Sequence, residues 1–204
     1  MSDTAWQRAK TARELYLLLD PDYNPRKLRR FVLACLAHLL PPNLISAEAN
    51  VLTFAEMIAD DEANIDPDEW TVTFEQLQNR VNAEAPDSTA WLLSLTVGES
   101  ASDEAHWMLE SLRDRNIDET VPIALFRDIF GNPFRPVNFT PWRTDTAVSL
   151  AQQMYESRDF GAMPILADAL QDAGCDNDEV LNHCRGQGPH VRGCWVVDGV
   201  LGFS

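Results

Sequence analysis

Apolar residues recur at three- and four-residue intervals along most of this 204-residue chain, and no stretch shows the alternation of a half-buried strand. Leu15, Leu18 and Leu19 share one face behind an Asp3 or Thr4 cap. Leu28, Phe31, Val32, Cys35 and Leu39 share another, on a helix from Asn24-Pro25 to about Leu40 that Pro41-Pro42 stops. Asn24-Pro25 and Asp66-Pro67 both place a capping side chain before a proline at the first helical position. Further starts fall at Ser46, Asp87-Ser88, Ser102-Asp103-Glu104, Val121, Thr144, Pro164 and Asp176, with Gly131 and Gly174 as stops. Residues 190–201 fit a last helix or a buried strand, with helix favoured. The expectation is an all-α, compact bundle of about nine to eleven short helices, without an internal repeat or a sizeable sheet.

Charge divides the chain more sharply than hydropathy does. Residues 1–45 carry seven bases and four acids, residues 46–120 three bases and 18 acids, and residues 121–204 six bases and ten acids. Almost all of the net charge of −16 therefore lies in the middle. A field of that sign repels nucleic acid and anionic lipid, so neither is an expected partner. Together with the proline-rich stretch 132–141, it suggests an N-terminal helical region (1–130) containing the acidic middle (46–120), and a C-terminal helical block (131–204), forming one compact unit. Hydrophobic residues at 45% suffice for a real core, which sets the chain apart from disordered acidic tails. No run reaches the roughly 18 apolar residues of a membrane helix. The N-terminus lacks the pattern of a secretory signal, and four cysteines then read as reduced thiols in the cytoplasm.

Three constellations carry candidate chemistry. Cys175, Cys184, His190 and Cys194 stand at C-x8-C-x5-H-x3-C, intervals that resemble the CCCH zinc-finger family with the last two ligand types exchanged. Three thiolates and an imidazole suit a closed tetrahedral zinc, and His183 is a substitute ligand. The favoured alternative is that Cys175, behind a helix-stop glycine, and Cys194, beside Trp195, fill the core as free thiols, with no cofactor. The second constellation is Arg26, Lys27, Arg29 and Arg30, able to hold phosphate or an acidic protein, but more readily solvated or matched to the chain's own acids. The third is Asp60, Asp61, Glu62, Asp66, Asp68 and Glu69. As a calcium loop it has Ile65 where the turn needs glycine and Thr71 where the bidentate glutamate belongs, so a solvated helix–turn–helix connection is the better reading; a surface this acidic could also dock a basic partner or mimic nucleic acid.

Catalytic signatures are thin. Gly98-Glu99-Ser100-Ala101-Ser102 half-matches a nucleophile elbow, without its closing glycine or preceding strand. Cys35 and His38 share a helix in an apolar run and read as packing.

The strings Arg127–Pro136 (RDIFGNPFRP), Pro164–Cys175 (PILADALQDAGC), Asn182–Arg185 (NHCR) and Gly188–Asp198 (GPHVRGCWVVD) resemble a paralogous family of planctomycetes, Gemmata-type bacteria in particular. The likeness covers about residues 121–204, and Arg26–Phe31 with Cys35 is similar to that family's opening region. It implies a bacterial cytosolic protein and brings no activity with it. Phe134, Phe139 and Trp142 would anchor the loop after Gly131, and Arg192 and Asp198 would pair around Trp195. Arg127, Arg135, Asp168 and Arg192 are the polar residues to test for a site, although helix caps and structural ion pairs account for them more simply; a small enzyme would need a pocket gathering His106, Asp168 or Arg192. The combined expectation is a non-enzymatic module that docks a protein with a basic surface, homo-oligomerisation being open. A structural-zinc regulatory module and a small helical enzyme are the alternatives.

Overall fold

In the computed structural model, residues 2–20, 23–40, 46–61, 64–84 and 88–203 are described. The Pro41-Pro42 stop, Glu62 and Asp87 lie outside them, as does the side chain of Asp61. Among the described residues there are twelve α-helices and no strand. They are α1 (Asp3–Arg8), α2 (Ala12–Tyr16), α3 (Pro25–Leu39), α4 (Ser46–Asp61), α5 (Pro67–Ala83), α6 (Thr89–Ser94), α7 (Ala101–Asp114), α8 (Thr120–Phe130), α9 (Asp145–Ser157), α10 (Met163–Asp172), α11 (Asp178–Arg185) and α12 (Trp195–Leu201). No helix among these residues is long and apolar enough to cross a membrane.

Local caps explain where most helices start. The side chains of Asn24, Asp66, Ser88, Ser100 and Thr144 each accept a backbone N–H from the first turn they precede. Three details differ from the sequence expectation. Ser2, not Asp3 or Thr4, caps α1, and Thr11 accepts the Glu14 N–H to open a separate α2, so one expected helix becomes two. Asn177, not Asp176, caps α11, its Oδ1 accepting from both Glu179 and Val180. Residues 186–194 form a loop, and only Trp195–Leu201 is helical.

The chain forms two compact units, one of Met1–Leu19 with Glu119–Ser204 and one of Asp20–Asp118. The divisions fall at 19/20 and 118/119, where the sequence suggests a single unit with a change of character near 130. The cause is visible in α1 and α2. Trp6 packs against Phe126 and Phe134, and the Ala12 N–H donates to Glu119, so these helices belong with the C-terminal ones.

In the continuous unit, Leu28, Phe31, Val32, Cys35 and Leu36 line the buried face of α3, which packs on α4 and α7. Cys35 is buried as expected of a packing residue, whereas His38 is exposed. Phe54, Ala55 and Ile58 of α4 meet Leu77, Leu93 and Val97 in a further core.

The discontinuous unit gathers α9–α12 around Met154, Leu166, Leu170, Val180, Val196 and Val197. Here α10 ends as its sequence promised. Gly174 has φ +91°, its N–H donates to the Gln171 carbonyl and the Cys175 N–H to the Leu170 carbonyl, which is the Schellman pattern. Phe139 stacks edge-on against Trp142 and Trp195, anchoring the loop that follows α8.

Candidate metal centre

Asp128, His183, His190 and Cys194, all in the discontinuous unit, bring one ligand atom each to within 4.8 Å of one another. Three pieces of chain supply them: α8, α11 and the loop that leads into α12. Asp128 sits on α8 among buried Leu125, Phe126, Ile129 and Phe130. His183 faces inward from α11, His190 comes from the loop before α12, and Cys194 is the residue on which α12 opens. Gly131 helps to close the arrangement. With φ +60° it ends α8, and a Cβ there would stand 2.9 Å from the Trp195 ring, so only glycine lets the start of α12 approach so closely.

The Oδ1 atom of Asp128 is the hub. It lies 3.1 Å from His183 Nε2 and 3.0 Å from His190 Nδ1, while His183 Nε2 lies 3.2 Å from Cys194 Sγ. These edges and the 4.8 Å limit bracket the roughly 3.3–3.6 Å ligand–ligand separations of a tetrahedral zinc with N, O and S donors. Outer partners hold the ligands in place. The Val191 N–H donates to Asp128 Oδ2 at 3.0 Å, and His190 Nε2 faces the Gly186 carbonyl at 3.4 Å, leaving Nδ1 and Oδ1 turned inward. The His183 ring is wedged between those of His190 and Trp195.

Burial and charge oppose each other here. Burial raises the carboxyl of Asp128, but hydrogen bonds to His183 and His190 outweigh it and hold the group below its ordinary value. Burial lowers His190, yet the Asp128 carboxylate reverses that and leaves it raised. Cys194 is fully buried, and desolvation together with the Asp128 charge pushes its thiol well up, although the Val196 and Val197 amides favour the thiolate. Such a thiol is inert as a nucleophile without a cation beside it. A divalent ion, if bound, would supply that cation and deprotonate the sulfur.

Of the four ligands read from spacing, His190 and Cys194 are in the cluster and Cys175 and Cys184 are not. Both of the latter are buried in the α9–α12 core, where burial raises their thiols, that of Cys184 to about 12. Cys175 fills space, as the alternative reading has it, and so does Cys184; Cys194, which that reading also places in the core, is buried there but lies in the cluster as well. His183 takes the place of a neighbouring cysteine, and Asp128 completes the set. Nothing in the C-terminal spacing points to Asp128. Its one sequence signal is an acid inside the apolar run from Val121 to Phe130, where a charge must find partners.

The other candidates are placed as follows. Arg29 and Arg30 are buried, so they do not belong to a docking surface. Arg29 pairs with Glu104, and Arg30 and Arg26 pair with Asp60, all within the continuous unit. Asp66 caps α5, and Asp68 and Glu69 are exposed on its first turn. Arg135 bridges Asp3 and Glu179, Asp168 pairs with Arg185, and Arg127 donates to the carbonyls of Trp6 and Ala9. Arg192 donates to the Tyr155 carbonyl and lies over its ring.

Family models, curated proteins and solved structures were compared with the chain, and none of them matches it.

Proposed function

We propose that the discontinuous unit is a zinc-stabilised helical module, with Asp128, His183, His190 and Cys194 as the four ligands. The convergence of four donors from three chain segments supports this reading. Their chemistry narrows the ion. One thiolate and two imidazoles favour zinc over calcium or magnesium, which take oxygen. Four protein ligands leave no coordination position for water, so the role is structural or regulatory rather than catalytic. Zinc there would tie α8, α11 and α12 together in a unit whose core is otherwise a set of short helices. Protein purified without chelator should retain about one zinc per chain. Cobalt substitution should give tetrahedral d–d bands and a thiolate charge-transfer band that Cys194→Ser abolishes. Metal-free protein that shows no such bands in excess cobalt would sink the reading.

A second reading concerns the continuous unit, which carries 19 of the chain's 32 acids against seven bases. Its Asp66, Asp68 and Glu69 are exposed together at the start of α5, which favours docking of a basic protein. Association of that kind weakens steeply with salt. An affinity indifferent to salt would exclude it.

A further inference from the structure

The first two turns of α5 carry more than charge. Pro67, Trp70, Thr71 and Phe74 line a half-open cavity of about 280 Å3, and Glu99, from the segment after α6, completes the lining. The volume falls just below the range of pockets that take drug-sized ligands and suits one or two side chains. The Trp70 ring is fixed, its Nε1–H donating to the Val97 carbonyl at 2.6 Å. The same ring already holds a cation, since the Arg29 guanidinium carbon lies 5.5 Å from its centroid. That cation is neutralised by Glu104 at 2.8 Å, so it does not oppose a second one.

Several carboxylates of this unit are matched by arginines, Asp60 by Arg26 and Arg30, Glu48 by Arg80 and Glu104 by Arg29, while others, Glu75 and Asp103 among them, have no ion pair among the described residues. Three unmatched carboxylates stand at or beside the cavity. Asp68, Glu69 and Glu99 are exposed and have no ion-pair partner among the described residues. Two aromatic rings and an unmatched carboxylate around a side-chain-sized space, beside further acids, make a receptor for a cation on an apolar stem.

We propose that this cavity receives an arginine or lysine side chain from a basic segment of a partner protein. The aromatic rings take the stem and the face of the cation, and Glu99 takes its charge. The proposal rests on the docking reading and adds the anchor point that charge alone does not provide.

The test uses the full chain labelled with 15N, following the Trp70 indole N–H resonance, which Trp70→Phe assigns by its disappearance. Three probes are titrated: a short capped peptide bearing arginine, the same peptide with norleucine in its place, and N-acetyl-arginine amide. The arginine peptide should shift the Trp70 signal saturably and more tightly than the other two. Glu99→Gln, a surface change that leaves the fold intact, should weaken it about three- to fivefold, the upper range for one exposed ion pair. Equal binding of the norleucine peptide would overturn the proposal, as would equal affinity for the free amide, which would mark a small-molecule amine site. Salt-sensitive peptide binding that leaves Trp70 unmoved and ignores Glu99→Gln would overturn the cavity and spare the docking reading. Absence of any binding would end both.

Discussion

The Nη1 atom of Arg29 lies 2.8 Å from Oε2 of Glu104 and 3.0 Å from the Gly98 carbonyl, with both charged side chains buried. Gly98 has no side chain for a reason, because a Cβ there would collide with the Glu104 carboxylate. Removing one partner from such a pair leaves a charge without water or counter-ion. Glu104→Ala should therefore cost about 3–5 kcal/mol in urea denaturation. The double change Arg29→Met with Glu104→Leu should recover most of that loss, since two apolar side chains need no compensation. A Glu104→Ala variant as stable as the parent would show that water reaches the site.

Gly199 lies within α12, where helix propensity alone would favour alanine by about 1 kcal/mol. Packing decides the other way. A Cβ at Gly199 would stand inside the space of the Phe139 ring, which also packs on Trp142 and Trp195. Gly199→Ala should lower stability by about 1–3 kcal/mol, the usual cost of overfilling a tight core. Adding Phe139→Leu should relieve part of it. A raised melting temperature in Gly199→Ala alone would mean that the ring moves aside freely.

Asp3 gives the discontinuous unit a sensitivity to acid. Hydrogen bonds from the Asn132 amide and the Arg135 guanidinium hold its carboxyl below the ordinary value. A depressed folded-state value stabilises the fold above the unfolded value, about 3.9, and the contribution disappears as pH falls through the folded one. Parent and Asp3→Asn should differ in stability by a constant amount above about pH 5 and converge below about pH 4. Denaturant midpoints of both proteins across that range check this. A gap that persists at the acid end would remove Asp3 from the account.

Helix positions were legible because their signals are local. Asn24, Asp66 and Thr144 cap the turns that follow them, and no distant residue is needed to read that. The candidate metal cluster is half legible for the same reason. His190 and Cys194 lie four residues apart in one loop, but Asp128 reaches them across 62 residues from another helix. Cys184 was misplaced because spacing along a chain ignores the face of a helix. Successive residues on α11 point about 100° apart, so His183 can meet Asp128 while Cys184 turns into the core. The basic turn shows the same gap. Its charge was plain, but that Arg29 would meet Glu104, 75 residues on, depends on how α3 packs against α7.

The interrupted course of the discontinuous unit bears on how the chain comes off the ribosome. Trp6 leaves the exit tunnel first, yet its partners Phe126 and Phe134 are synthesised only after the whole of Asp20–Asp118. The continuous unit can thus complete its fold during translation, while the first two helices wait with an apolar face exposed. A ribosome stalled when Asp118 has just cleared the tunnel, with Phe126 and Phe134 still inside it, would hold one finished body and one orphaned segment. That interval is when the nascent chain most needs a chaperone.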